Sequence, residues 1–319
     1  MRARLVFVAV LIAFFACANS AGALDKVRLG KAVPNSFAFG AANIGIEAKL
    51  FEREGIDLET VSFPGDAKLQ QGLAAGSLDV GLGSGPAMGF RAKGAPSIAV
   101  AAMFGPPSNI ALLVPADSPV KTVADMKGKR VGVTTVGSLT DWLVRELSRK
   151  EGWGNDGMKI LALGSVDARI AAMKTGQLDA TVQEAATGYE LAEQGRTRTL
   201  LLFGDLVKDF YTHVIFASDD MVEKRPELLR RFLKGWFETI AFMKTHRDFV
   251  IQSESKTISV RPSVAAQVYD AQINSFSTDG AWDAKSIDVI RGSLKELGIL
   301  DFVPDAKKIY NDQFVPVKF

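Results

Sequence analysis

Cysteine is almost absent from this chain: Cys17 is the single one in 319 residues, and histidine occurs only at His213 and His246. Cys17 lies in an N-terminal segment read below as cleaved, so the mature chain is expected to carry no disulfide, thiolate metal ligand or thiol nucleophile. Two histidines do not make a metal cluster, and no Ser-His-Asp set or phosphate loop occurs, so neither a metal, a cofactor nor a catalytic residue is expected. The run Gly81-Leu82-Gly83-Ser84-Gly85 after an apolar stretch looks like a dinucleotide loop. That loop needs a ribose-binding acid about 20 residues on, yet no Asp or Glu occurs from Val80 to Ala116. A charge excess is missing too, with 38 Lys+Arg against 36 Asp+Glu. Loss of Arg2 and Arg4 with the leader would bring the basic count to 36, which gives no footprint for a nucleic-acid partner. No low-complexity or Pro/Gly/Ser-rich linker divides the chain, so two domains, if present, are expected to be joined by ordered segments.

The N-terminus sets the compartment. Arg2 and Arg4 precede an apolar run from Leu5 to Ala18, and Ala21-Gly22-Ala23 offers small residues for cleavage. This is the pattern of a secretory signal peptide over residues 1–23. About 14 apolar residues fall short of the roughly 20 that span a bilayer as a helix. Phe14-Phe15-Ala16 before Cys17 does not fit a lipid-attachment site, so a soluble, exported, periplasmic chain starting at Leu24 is expected. About 296 residues then remain, enough for two ordinary domains.

The chain echoes itself after about one hundred residues. Gly76-Ser77-Leu78-Asp79-Val80 returns as Gly176-Gln177-Leu178-Asp179-Ala180, each after a helical stretch. Val27-Arg28-Leu29-Gly30 opens the first unit, and Lys129-Arg130-Val131-Gly132 opens the second. Helices end alike at Glu54-Gly55 and Glu151-Gly152, where glycine suits a left-handed C-terminal position, and a strand follows each (57–63, 158–163). Each unit reads strand, helix, strand, helix, strand, the order of an open α/β sheet with crossover helices. Apolar strands at 110–114 and 214–217 are the expected crossings between units. The last third is helical, with one apolar stripe running Leu228, Leu229, Phe232, Leu233, Trp236, Phe237 and Ile240 and further helices near 263–276 and 283–297. The expected plan is a first lobe from residues 24–112 plus 216–319, with residues 113–215 inserted as the second.

The segment from Glu47 through Lys49-Leu50-Phe51-Glu52-Arg53-Glu54-Gly55-Ile56-Asp57-Leu58-Glu59 resembles one found in the nitrate, alkanesulfonate and taurine class of ABC-transporter substrate-binding proteins. Gly72-Leu73-Ala74-Ala75-Gly76-Ser77-Leu78-Asp79, Gly83-Ser84-Gly85-Pro86, Ala92-Lys93-Gly94-Ala95-Pro96 and Asp125-Met126-Lys127-Gly128-Lys129-Arg130-Val131 are similar to later segments of that class. The resemblance covers about 25–220 and implies a type II-like periplasmic binding protein fold, two lobes closing on a ligand by hinge motion. It further implies a non-enzymatic, monomeric protein that passes a small anion (sulfonate, nitrate, taurine or a related carboxylate) to the permease of an importer. Many members carry Trp-Glu-Pro where this chain has Gln183-Glu184-Ala185, so an aromatic wall is missing there. Alternative readings within the resemblance are a thiamine-related pyrimidine-precursor binder and a pyridoxal-phosphate-dependent pyrimidine synthase drawing on a histidine; a different class again is a ligand-sensing module of a signalling complex, which would share the pocket.

In open α/β sheets the crevice lies beyond the carboxyl ends of the strands. That rule selects Asn35 and Ser36 in the first turn, Gly65 and Asp66 in the second, and Ser84 and Gly85 in the third. In the second unit it selects Thr135, Gly137 and Ser138, then Gln183 and Glu184. Free N–H groups at helix starts there suit an anion without any Lys or Arg, with Ser84, Thr135 and Ser138 adding hydroxyls; ordinary N-capping is the competing use of those hydroxyls. Glu184 is expected as the ionised group of the cleft, meeting a ligand donor or bridging the lobes. Asn109 and Tyr211 are expected at the hinge, on the ligand or hydrogen-bonded in the core.

Overall fold

The computed structural model describes residues 23–319; the leader expected over 1–23 lies, but for its last residue, outside the described residues. Among the described residues ten strands run in chain order as β1 (Asp25–Lys31), β2 (Ile56–Ser62), β3 (Val80–Ser84), β4 (Ser97–Phe104), β5 (Ile110–Pro115), β6 (Arg130–Val133), β7 (Lys159–Ala162), β8 (Ala180–Glu184), β9 (Thr197–Leu202) and β10 (His213–Ser218). The helices of eight residues or more are α1 (Gly40–Glu47), α2 (Asp66–Ala74), α3 (Leu139–Lys150), α4 (Val166–Lys174), α5 (Ala185–Glu193), α6 (Pro226–Thr245), α7 (Arg247–Thr257), α8 (Pro262–Gln272) and α9 (Ala284–Glu296). Among the described residues no helix is long and apolar enough to cross a membrane.

The strands form two five-stranded sheets of the same plan, β2-β1-β3-β10-β4 and β7-β6-β8-β5-β9. In each, the first three strands are parallel and the fourth runs antiparallel to both neighbours. That fourth strand is exchanged: β10 completes the first sheet and β5 completes the second. The two apolar strands expected to cross therefore each lie wholly within one sheet. The chain passes between sheets in 105–109 and 203–212, segments that precede those strands.

The hundred-residue echo has a physical cause. Arg28 donates its backbone N–H and Nε to Asp79 Oδ2 (2.9 and 3.0 Å) and Nη2 to Oδ1 (2.9 Å). Arg130 repeats the pattern on Asp179 at 2.8, 3.0 and 2.8 Å. Each clamp ties the first strand of its sheet to the residue entering the third, which the Gly-x-Leu-Asp turn delivers after its helix. A planar guanidinium and a carboxylate meet in two parallel bonds only at a fixed register, so the motif specifies the pairing. In the first sheet Arg225, just before α6, adds a further bond to Asp79. Gly55 (φ +71°) and Gly152 (φ +74°) take the left-handed positions expected of them.

The whole apolar stripe of α6 is buried, with Leu229, Phe232, Leu233, Trp236, Phe237 and Ile240 at 0 % exposure, and Phe232 stacks on Phe51 at 5.7 Å. The C-terminal helices thus cover the first sheet and leave the carboxyl ends of its parallel strands facing those of the second.

Candidate functional site

Between the two sheets lies a cavity of about 40 Å³ lined by Ala32, Val33, Asn35, Phe39, Gly65, Asp66 and Ser84 from the first half. Ile110, Thr134, Leu139, Thr140, Val166, Arg169, Val182, Gln183 and Glu184 line it from the second, and His213 from β10. It adjoins a groove of about 510 Å³ that shares Val33, Asn35, Val166 and Arg169 and continues along Pro34, Phe63, Pro64, Thr187, Leu191, Ile258 and Val260. A buried water occupies at least about 10–15 Å³ on this measure, so the inner cavity has room for an anionic head only, and the groove for a chain.

The turns at the strand ends do converge, but their donors are used differently from the expectation. Asp66, first residue of α2, is 3 % exposed, and its carboxylate accepts from Ser84 N and Oγ (both 2.9 Å) and from Leu139 N (3.4 Å) at the start of α3. Thr135 Oγ1 accepts in return from Ala67 N of α2 (3.3 Å). The two helices facing each other across the cleft are each capped by a side chain from the opposite half. Asn35 Nδ2 adds a third bond across, to Thr187 Oγ1 at 2.8 Å. Gly65, with φ +118°, lets Thr135 approach: a Cβ there would stand 2.8 Å from Thr135 Cγ2.

Ser138 serves as the N-cap of α3, accepting from Asp141 N (3.5 Å), and is tied to Thr134 Oγ1 (2.8 Å). The capping use is thus the one seen for Ser138, and its hydroxyl is turned into its own turn, whose Thr134, Leu139 and Thr140 line the cavity instead. Gly137 donates to Asp141 Oδ2 (2.8 Å) and faces a separate groove with Phe90 and Arg145. Gly85 packs on the Tyr211 carbonyl, which leaves no space for a Cβ. Tyr211 itself accepts from Asp283 N, away from the cavity. The cavity lining leaves out Gly85, Thr135, Gly137, Ser138 and Tyr211, each held by a protein partner; for Tyr211 this is the hydrogen-bonded place in the core that was its other expected use.

Glu184, at the end of β8, is 8 % exposed and accepts from Asn109 Nδ2 at 3.0 Å. Ser36 Oγ lies beside the carboxylate without meeting full hydrogen-bond geometry. Burial pushes Glu184 up to about 7 against the pull of Ser36, Asn109 and the more distant Arg169. Among the described residues it makes no salt bridge, so of its two expected uses the interlobe ion pair is not the one seen. Asp66 is also raised by burial, opposed by the bonds from Ser84 and Leu139.

Three further cavity residues, outside the expected ligand contacts, bear on its chemistry. Arg169 is 2 % exposed; its Nη1 donates to the Val182 carbonyl and its Nε to the Ser165 carbonyl (3.3 Å), and burial lowers it to about 10, with Glu184 opposing. A buried cation thus stands where helix ends alone were expected. Its signal was the stripe Arg169, Ala172, Met173, the inward face of α4 at helical spacing. Phe39 lines the cavity from the first half, supplying an aromatic wall that Gln183 and Ala185 do not. His213 packs edge-on against Phe39 (4.7 Å) and Phe104 (6.2 Å), and burial lowers it to about 3, with the Gly83 backbone opposing. It is a neutral imidazole. Gln183 Nε2 and both His213 ring nitrogens are buried without a hydrogen-bond partner.

Residues 41–248 match the family model described as NMT1/THI5 like. A putative aliphatic sulfonates-binding protein of Escherichia coli (strain K12) is 30% identical over 213 residues, 66% of this chain and 65% of that protein's length. A protein of the same description from Bacillus subtilis (strain 168) is 26% identical over 251 residues, 76% of this chain and 74% of its own length. Among solved structures, the alkanesulfonate-binding protein SsuA from Xanthomonas axonopodis pv. citri, bound to MOPS, superposes with a TM-score of 0.77 at 21% identity, covering 90% of this chain and 96% of that one. The fold is that of periplasmic binding proteins. The desulfurization enzyme DSZB shares it at a TM-score of 0.63 and 16% identity, over 91% of this chain and 97% of its own, so the fold by itself does not separate binder from enzyme. With its family model matched over more than half its length, the chain belongs to the NMT1/THI5-like family.

Proposed function

We propose that the chain is an exported, non-enzymatic binding protein that captures a small organic oxoanion of the sulfonate class between two lobes and hands it to the permease of an importer. The observation that carries this reading is Arg169: a buried guanidinium at the junction of a small cavity and a larger groove, with Gln183 and Glu184 beside it in the cavity wall. An oxoanion head belongs beside Arg169 and the free Nε2 of Gln183, and an alkyl tail belongs along Phe63, Leu191, Ile258 and Val260. Nitrate has no tail for the groove, so the sulfonate branch of the expected ligand class fits better. The relatives named for sulfonates agree with this choice.

Closure is assigned to hinge motion of the two lobes about the connecting segments 105–109 and 203–212. Export to the periplasm rests on the N-terminal pattern, and a monomer on the absence of any need for a second copy to complete the cavity. As for catalysis, residues 24–319 hold no thiol, and the one cleft histidine is a neutral imidazole without a carboxylate partner.

Calorimetric titration with a series of linear alkanesulfonates, against nitrate and sulfate, tests the reading. Affinity should rise with chain length by up to about 0.8 kcal/mol per methylene buried. Arg169→Gln should weaken sulfonate binding roughly 10- to 150-fold, the worth of one charge-assisted hydrogen bond. Nitrate binding as tightly as the sulfonates, or full affinity in Arg169→Gln, would overturn it.

A further inference from the structure

The cavity's own charges set a condition on the ligand. Three ionisable groups besides the histidine line it: Asp66, Arg169 and Glu184. With both carboxylates ionised the wall carries one net negative charge, and an oxoanion entering so small a space would face it at close range in a poorly solvated site. One carboxylate has to give up its charge, and their surroundings decide which. Asp66 receives three hydrogen bonds, two from backbone N–H groups, all of which favour its anion. Glu184 receives one full bond, from the neutral amide of Asn109. His213 cannot take the proton cheaply, enclosed as it is by Phe39 and Phe104.

We propose, resting on the sulfonate reading above, that Glu184 is a specificity-determining residue that binds in its protonated form, donating a hydrogen bond to an oxygen of the ligand, so that each oxoanion is captured together with one proton. An ionised Glu184 can only accept, and so opposes an oxygen anion; a neutral carboxyl both accepts from Asn109 and donates. The wall is then neutral overall, and Arg169, which makes no ion pair among the described residues, is the cation that meets the ligand. The groups that face Glu184 from the surrounding elements are Ser36 from the first turn, Asn109 before β5, Arg169 of α4, Asp66 of α2 and His213 of β10; Asp167 and Glu190 stand further out, in the groove. Burial already holds Glu184 up to about 7, so the protonated form is accessible near neutral pH. The same logic disfavours ligands that place an ammonium at this point, since those need Glu184 ionised.

The test uses butane-1-sulfonate and 2-aminoethanesulfonate in calorimetry from pH 6 to pH 9, each in two buffers of different ionisation enthalpy, so that proton uptake is measured directly. For butane-1-sulfonate the wild type should take up a proton and lose roughly tenfold in affinity per pH unit above about 7. Glu184→Gln, neutral at every pH, should bind within a few fold of wild type at pH 6, exceed it at pH 9 and show no uptake. A merely structural role for Glu184 would not flatten the pH profile. Butane-1-sulfonate binding without proton uptake would overturn this inference and leave the sulfonate reading standing. So would a wild-type pH slope retained in Glu184→Gln, or 2-aminoethanesulfonate binding more tightly as pH rises towards 9. No sulfonate binding at any pH would overturn both.

Discussion

Thr135→Val is the sharpest probe of how the cleft closes. Valine keeps the shape of threonine and removes the one hydroxyl that accepts from Ala67 N across the cleft. Three direct hydrogen bonds join the halves at the cavity: Ala67 to Thr135 (3.3 Å), Leu139 to Asp66 (3.4 Å) and Asn35 to Thr187 (2.8 Å). Each is worth about 0.5–1.5 kcal/mol, so the set biases the closed form by roughly 3 kcal/mol, about a hundredfold, through protein groups alone. Thr135→Val should shift the open-to-closed ratio about fivefold, and Thr135→Val with Asn35→Ala about thirtyfold, since the two bonds share no partner. Energy transfer between dyes on the two lobes reads the ratio directly. Ligand affinity should fall by the same factor once the closed form becomes the minor one, because apparent affinity scales with the competent fraction. Unchanged transfer in the double variant, with normal melting, would show that these bonds form only as by-products of a closure driven elsewhere.

Other consequences concern stability. Burial raises Asp79 but bonds from Arg28 and Arg225 outweigh it and hold the carboxylate near 2, below its ordinary value; Asp79→Asn should therefore cost about 2 kcal/mol at neutral pH. Because the folded value is depressed, that contribution is complete above about pH 4 and fades as pH falls towards 2, so denaturant midpoints of wild type and variant should converge in acid. Glu254, wholly buried with neither oxygen hydrogen-bonded, is pushed by burial up to about 8, with Lys31 pulling it down. A raised acid destabilises progressively as pH climbs from about 4.5 to 8, so Glu254→Gln should raise the melting temperature at pH 8 and have little effect at pH 4, and an equal effect at both would refute the reasoning. Gly85→Ala should destabilise by about 1–3 kcal/mol in chemical denaturation, because its Cβ would meet the Tyr211 carbonyl, which belongs to the backbone and cannot swing aside.

Much of the fold was legible because its signals are local. The stripe from Leu228 to Ile240 and the glycines at 55 and 152 need only their own neighbours to be read. The echo was legible for a further reason: the Arg28–Asp79 and Arg130–Asp179 clamps demand the same residues at the same offset in each half. The exchange of β5 and β10 was harder to place. An apolar strand reads the same in either sheet, and only the antiparallel partners, β8 and β9 for one, β3 and β4 for the other, assign it.

The site was legible as a place and not as a set of roles. The rule for strand ends gathers Asn35, Gly65, Asp66, Ser84, Gln183 and Glu184 around one cavity without any structure. It does not say who satisfies whom, and here one free donor each of α2 and α3 is claimed, by Thr135 and by Asp66, the latter bonded to Leu139, 73 residues away. A helix terminus already capped by a protein carboxylate no longer has that donor to offer a ligand. The anion must then find its charge elsewhere, and the inward stripe of α4 brings it: Arg169, whose buried guanidinium is costly unless something negative completes it. Neighbouring Glu184 is the protein's own candidate for that part, but it is too far for an ion pair and too buried to hold its charge firmly near pH 7. An oxoanion that displaces water from this cavity supplies the missing negative charge and is, on this argument, bound because the protein leaves one cation incompletely answered.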